Sequence, residues 1–199
     1  MKIPEFKIRT DLALEEREGL KEAAEEVSGV SFKKWEGKRS AAQITEVKVL
    51  NEHGAKALGK PMGSYLTLEA DKLLMPDEDF HSEVSDELAL LLKGLLKQKT
   101  GKNILVAGLG NQSVTPDSLG PRTVSNLCVS AEGLKAIAPG VMAQTGMETA
   151  RILLGIIKEV QPDLVIAIDA LAARSIRRLG TTIQLTDTGI HPGSGVGNH

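Results

Sequence analysis

The sequence predicts an α/β fold: a mostly parallel sheet with helices on both faces, plus a small antiparallel β insertion. Three observations carry this. Two short apolar runs, Ile104–Gly108 and Leu164–Ile168, alternate with helical patterns, as strand–helix–strand units do. Between them Ile152, Leu153, Ile156, Ile157 and Val160 form an apolar stripe at helical spacing. Upstream, residues 41–50 and 63–70 alternate apolar and polar side chains, the pattern of half-buried antiparallel strands.

In chain order, residues 1–11 read as a polar arm. A helix is expected from Leu12 to Val27, rich in Glu, Ala, Leu and Lys, with Asp11 as N-cap and Gly29 closing it. The link between the two insertion strands reads as a short helical turn and a loop. An acidic connector, Leu73–His81, leads to a helix capped by Ser82 or Ser85 and running to Lys99, with Leu88, Leu91, Leu92 and Leu95 on its apolar face. The α/β part then follows. It comprises the strand at 104–108, a helix from about Leu119 to Leu127, a Gly/Pro-punctuated segment at 137–145 and a helix from Glu148 to Val160 that Pro162 ends. The strand at 164–168, a helix at Ala172–Arg178 and a strand at Thr182–Thr186 complete it. The chain closes on a glycine-rich stretch, Gly189–His199, which reads as a loop cut short within a longer protein.

Composition narrows the function classes. The 199 residues fit one domain with an insertion, and 41% hydrophobic with 25% charged residues is ordinary for a chain that buries a core. A net charge of -2 gives no basic field for nucleic acid or an anionic membrane. Aromatics at 3% supply no stacking platform for single strands. No apolar run approaches the ~18 residues of a membrane span. No leader opens the chain at Met1-Lys2-Ile3-Pro4, and the one cysteine, Cys128, has no internal partner for a disulfide, so a reducing cytoplasmic compartment is expected. Flanked by Leu127 and Val129, Cys128 reads as a buried structural thiol.

The stretch Val106–Pro121 carries the chemistry. An apolar strand runs into the turn Gly108-Leu109-Gly110, and a lone carboxylate, Asp117, follows between Pro116 and the Gly120-Pro121 step. The strand at 164–168 ends on a second, Asp169. Sites of such folds form at the carboxyl ends of strands. A facing pair sharing one proton leaves one carboxylate as base and the other as acid. The base activates water against a peptide carbonyl; the acid protonates the oxyanion or the leaving amine. The bland reading gives each aspartate to a turn or a helix cap. A metal or phosphate site suits the same residues.

Other motifs weigh less. Asp187-Thr188-Gly189 matches the loop of pepsin-like proteases in one copy only, so Asp187 reads as a turn or supporting carboxylate. Gly108-Leu109-Gly110 lacks the third glycine of a dinucleotide fingerprint and the Lys-Ser/Thr of a phosphate loop. His191, beside Pro192, reads as a structural or loop histidine, with a ligand or an acid as the alternatives, and the other histidines show no metal spacing. Arg174 and Arg177 follow Asp169; they are surface charges or lower the pKa of a nearby carboxylate. No metal and no cofactor is expected.

At Arg9–Glu15, Val106–Pro121, Pro139–Thr149, Ala167–Arg174 and Asp187–Asn198 the chain closely resembles the germination protease (spore protease) family of spore-forming Firmicutes, from about Ile8 to its end. The resemblance implies a fold similar to hydrogenase-maturation endopeptidases and a homotetramer. It also implies a zymogen endopeptidase of the forespore and spore core that degrades small acid-soluble spore proteins during germination, with no nucleic-acid or membrane partner. The family's two implicated aspartates fall on Asp117 and Asp169. Thr10-Asp11-Leu12-Ala13-Leu14-Glu15 resembles the cleavage sequence of the substrates, which implies self-cleavage between Asp11 and Leu12. Residues 1–11 are then a pro-segment. Residues 12–199 form the protease domain, incomplete at its C-terminus, with the β insertion at about 41–70. Two alternatives remain open. One is a metal-dependent endopeptidase of the maturation type with Asp117 and Asp169 as ligands; the other is a non-catalytic module that binds acidic spore proteins.

Overall fold

The computed structural model describes residues 10–22, 27–96, 103–129 and 133–190. The chain begins with α1 (Ala13–Glu22), β1 (Val30–Glu36), β2 (Gln43–Val49), α2 (Glu52–Leu58), β3 (Gly63–Glu69) and α3 (Glu78–Leu96). It continues with β4 (Ile104–Gly108), α4 (Leu119–Ser125), β5 (Leu134–Ile137), α5 (Met142–Thr145), α6 (Thr149–Val160), β6 (Leu164–Ile168) and β7 (Thr182–Thr186). Two compact units result, and each holds one sheet. The first takes the chain up to Leu96 together with Leu171–Thr188; the second takes the residues between them and Gly189 onward.

The first unit is built on an antiparallel sheet in the order β1-β2-β3-β7. Ile44 and Leu68 are register partners and point to one face, where Phe80 and Val84 of α3 cover them. Val47 and Tyr65, also partners, point to the other face, where Ala13 of α1 and Leu58 of α2 pack. Alternation of side chains along a strand lets one sheet hold two cores. The insertion strands expected at 41–50 and 63–70 are β2 and β3.

The second unit is the parallel sheet, ordered β5-β4-β6. Adjacent residues of β4 face opposite sides. A side chain at Gly108 would strike the backbone of Gly120 and the side chain of Val124, so α4 covers that face. Ala107 packs with Leu109, with Leu153 of α6 and with Ile137, so α6 covers the other. Helices therefore lie on both faces of the parallel sheet, as the sequence predicts. Gln161 ends α6 in a left-handed conformation (φ 47°), its N–H donating to the Ile157 carbonyl.

Five local readings differ. The strand at 182–186 pairs antiparallel with β3 and belongs to the first unit. β1 was not expected. It is a half-exposed outer strand whose adjacent Lys33 and Lys34 break the alternation. The helix α3 starts at Glu78, because the Asp77 carboxylate accepts from the Phe80 N–H (3.0 Å); Ser82 and Ser85 lie inside it. Residues 172–178 hold only a short 3-10 turn at Ile176–Arg178. Cys128 lies beyond the end of α4 and is exposed, so the buried reading fails.

Candidate active site

The second unit places two carboxylates at one sheet edge. β4 and β6 are parallel neighbours, with Gly108 in register with Ile168. Beyond the strands, the Leu109 N–H still donates to the Ile168 carbonyl (2.8 Å) and holds the two ends together. Asp169 follows at once on β6. Asp117 arrives through a loop that folds back over β4. Gly110 makes this possible: its φ is 111°, and a side chain there would strike the carbonyl and carboxylate of Asp117. Gly120, the second residue of α4, packs against Leu109 and the Ile168 carbonyl, where any side chain would collide with backbone.

Each carboxylate is half-buried and oriented. The Asn111 N–H donates to Oδ2 of Asp117 (2.8 Å), and the Ala170 N–H donates to Oδ1 of Asp169 (2.9 Å). Asn111 is further tied by its own Oδ1, which accepts from the Ser113 N–H (2.9 Å) and from Nε2 of Gln144 (2.8 Å). Sequence reasoning missed both Asn111 and Gln144. Gln144 lies within Pro139–Thr149, one of the stretches that carry the resemblance. Among the described residues no three Asp, Glu, His or Cys side chains converge as a metal-binding group.

The other candidates lie elsewhere. Asp187, in the first unit, accepts from the Ser64 N–H through Oδ1 (2.8 Å) at the start of β3. His191 falls outside the described residues. Arg174 pairs with Glu16 (3.1 Å), and its backbone N–H donates to Glu15 (2.6 Å).

The six residues Thr10–Glu15 are embedded in the first unit. Thr10, Leu12, Ala13, Leu14 and Glu15 are all buried. The Asp11 N–H donates to the Ala172 carbonyl, and its carboxylate accepts from the Ala172 N–H (both 2.8 Å). α1 begins at Ala13, two residues after Asp11, and Oδ2 of Asp11 is given to the Ala172 N–H. Thr10 Oγ1 accepts from the Leu12 N–H (3.1 Å), and Oε1 of Gln184 accepts from the Ala13 N–H (3.0 Å). The Asp11 carbonyl itself accepts from Nζ of Lys60 (3.0 Å) and from Nε2 of Gln184 (3.2 Å).

Glu15 anchors the segment. Its carboxylate accepts from the N–H groups of Arg174 and Ser175 and pairs with Arg178 (3.1 Å). Arg178 also reaches Glu18 (2.8 Å) and Glu69 (2.7 Å). Burial pushes the Glu15 carboxyl up. Hydrogen bonds from Thr10, from the Arg174 and Ser175 N–H groups and from Arg178 outweigh it and hold the group below its usual 4.5.

Comparison with known proteins identifies the family. The profile of the germination protease family matches residues 8–199. The chain is 50% identical over 205 residues to the germination protease of Caldanaerobacter subterraneus subsp. tengcongensis, covering 96% of this chain and 62% of that protein. It is 44% identical to the one from Oceanobacillus iheyensis (97% and 58% covered) and 40% identical to that of Clostridium tetani (96% and 63%). The chain thus spans about three-fifths of the length of these relatives. A family profile matched over nearly every residue, and relatives that share up to half of them, agree: this chain belongs to the germination protease family.

Proposed function

We propose that this chain carries the catalytic aspartate pair of a spore-germination endopeptidase. The observation that carries the reading is the placement of Asp117 and Asp169 at the carboxyl ends of adjacent parallel strands. One shared proton makes one carboxylate the base and the other the acid. The base takes a proton from water, whose oxygen adds to the peptide carbonyl. The acid then delivers its proton to the leaving amine as the C–N bond breaks, and the pair returns to its starting charge. A fixed N–H donor on each carboxylate, from Asn111 and from Ala170, supports this use by holding the groups in place.

The wider reading follows the family. The substrates are small acid-soluble spore proteins, the site of action is the forespore and spore core, and the assembled enzyme is a homotetramer. Residues 1–11 are a pro-segment removed by self-cleavage between Asp11 and Leu12. Residues 12–199 belong to the protease domain, with the β insertion at about 41–70.

The test is intact mass against time for the chain and for Asp117→Asn and Asp169→Asn, run alongside turnover of a spore-protein peptide. Loss of residues 1–11 and peptide turnover in the parent only is expected. Removing a general acid or base costs about 10²–10⁴-fold in rate. Equal processing in all three chains would assign the cut to other residues. Activity abolished by a chelator and restored by a divalent ion would instead select the metal-dependent alternative. Unchanged function in Asp169→Asn would select the binding module.

A further inference from the structure

The expected cleavage site is buried and held by several hydrogen bonds in the first unit. For hydrolysis, a peptide bond must enter a protease cleft in an accessible, extended form. The Asp11–Leu12 bond has neither property. Leu12 is fully buried, and Thr10 is 4% exposed. Both ends of Asp11 are occupied: its N–H and its carboxylate hold the two backbone groups of Ala172, and its carbonyl takes donors from Lys60 and Gln184. Lys60 also donates to the Thr10 carbonyl (3.2 Å), so one ammonium spans two consecutive peptide units. Gln184 works in both directions, accepting from Ala13 and donating to Asp11. Its β7 strand thereby clamps the bond from the C-terminal side.

We propose that Lys60 and Gln184 form a latch that shields the Asp11–Leu12 bond, so that local release of this segment, not the chemistry, governs how fast the bond is cut. The inference rests on the self-cleavage reading above for its biological meaning, while the latch itself is a property of the fold. Cutting tracks the population in which Thr10–Glu15 has left its bed, the ordinary behaviour of a protected site that opens locally. Lys60 and Gln184 are positioning residues here. They hold the carbonyl closed; they do not act on substrate. An arrangement that polarised the carbonyl for attack would place the same two donors on it, but would make the opposite kinetic demand.

The test uses the Asp117→Asn chain, in which self-cleavage is removed, and an external endoproteinase that cuts after acidic side chains. Lys60→Met keeps the aliphatic stem and loses both donated bonds. Gln184→Glu keeps the acceptor for Ala13 and loses the donor to Asp11. Cutting after Asp11 is expected to rise about tenfold or more in Lys60→Met, the scale of losing a bond from a charged donor, and about fivefold in Gln184→Glu, the scale of a neutral one. Amide exchange should speed up at residues 10–16 and stay unchanged in β2 and β3. Lys60→Arg should restore slow cutting. Unchanged or slower cutting overturns the proposal. So does exchange that rises throughout the unit in both variants, because these contacts would then belong to the whole fold. In the chain with Asp117 intact, Lys60→Met should shed residues 1–11 faster. If the intact chain never sheds them while the external cut still responds, the self-cleavage reading fails and the latch stands.

Discussion

Glu15 shows how one side chain decides a local fold. A buried carboxylate is costly unless fully bonded, and Glu15 meets that demand with two backbone N–H groups and Arg178. Its carboxyl sits below the unfolded value of 4.5, so between the two values the unfolded chain holds more protons. The stabilisation is therefore complete above about pH 4.5 and is lost as pH falls through the lower, folded value. Glu15→Gln should remove that acid-side loss, read as urea midpoints from pH 7 to 3; parallel curves for the two proteins would refute it. At this scale the positions of Asp117 and Asp169 were legible, because Asp169 directly follows one apolar run and Asp117 is the lone carboxylate of the loop after the other. Lys60 and Gln184 were not. The Asp11 carbonyl they bind lies 49 and 173 residues away in sequence, and no spacing rule spans that distance.

Among elements, those whose periodicity is settled by their own neighbours were readable. β4 and β6 are short apolar runs, and α6 has an apolar stripe long enough to fix its class. Leu153, 9% exposed, is where α6 meets Ala107 and Leu109. Leu153→Ala should cost about 2–5 kcal/mol in the second unit, as large-to-small core changes do, visible in chemical unfolding followed by amide exchange in β4. Elements decided from outside were misread. Residues 172–178 have helical composition, but the N–H groups of Ala172, Arg174 and Ser175 are taken by the carboxylates of Asp11 and Glu15, leaving only a 3-10 turn. The acidic run before α3 looked like a linker, yet Asp77 caps the helix, and Glu78 and Asp79 in its first turn suit the helix dipole. The strand at 182–186 was expected, but as part of the α/β run and not as the partner of β3.

For the whole molecule, the division into two sheets was only partly legible, because β7 returns to pair with β3 after β4, β5 and β6 of the parallel sheet. Strand edges differ in how they are guarded. β1 carries Lys33 and Lys34, whereas β6, outermost in its sheet among the described residues, has no charged residue and leaves Val165 38% exposed. An uncharged outer strand of this kind invites further pairing. Where chains associate through this edge, Val165→Lys should lower that association in sedimentation velocity with secondary structure unchanged; an identical distribution of species would show that β6 does not pair between chains. The exposed thiol of Cys128 bears on every such measurement. With one cysteine per chain, air oxidation can join chains only in twos. A dimer that disappears on adding a reductant is then an artefact of handling, and subunit stoichiometry can be counted only with that thiol reduced or capped.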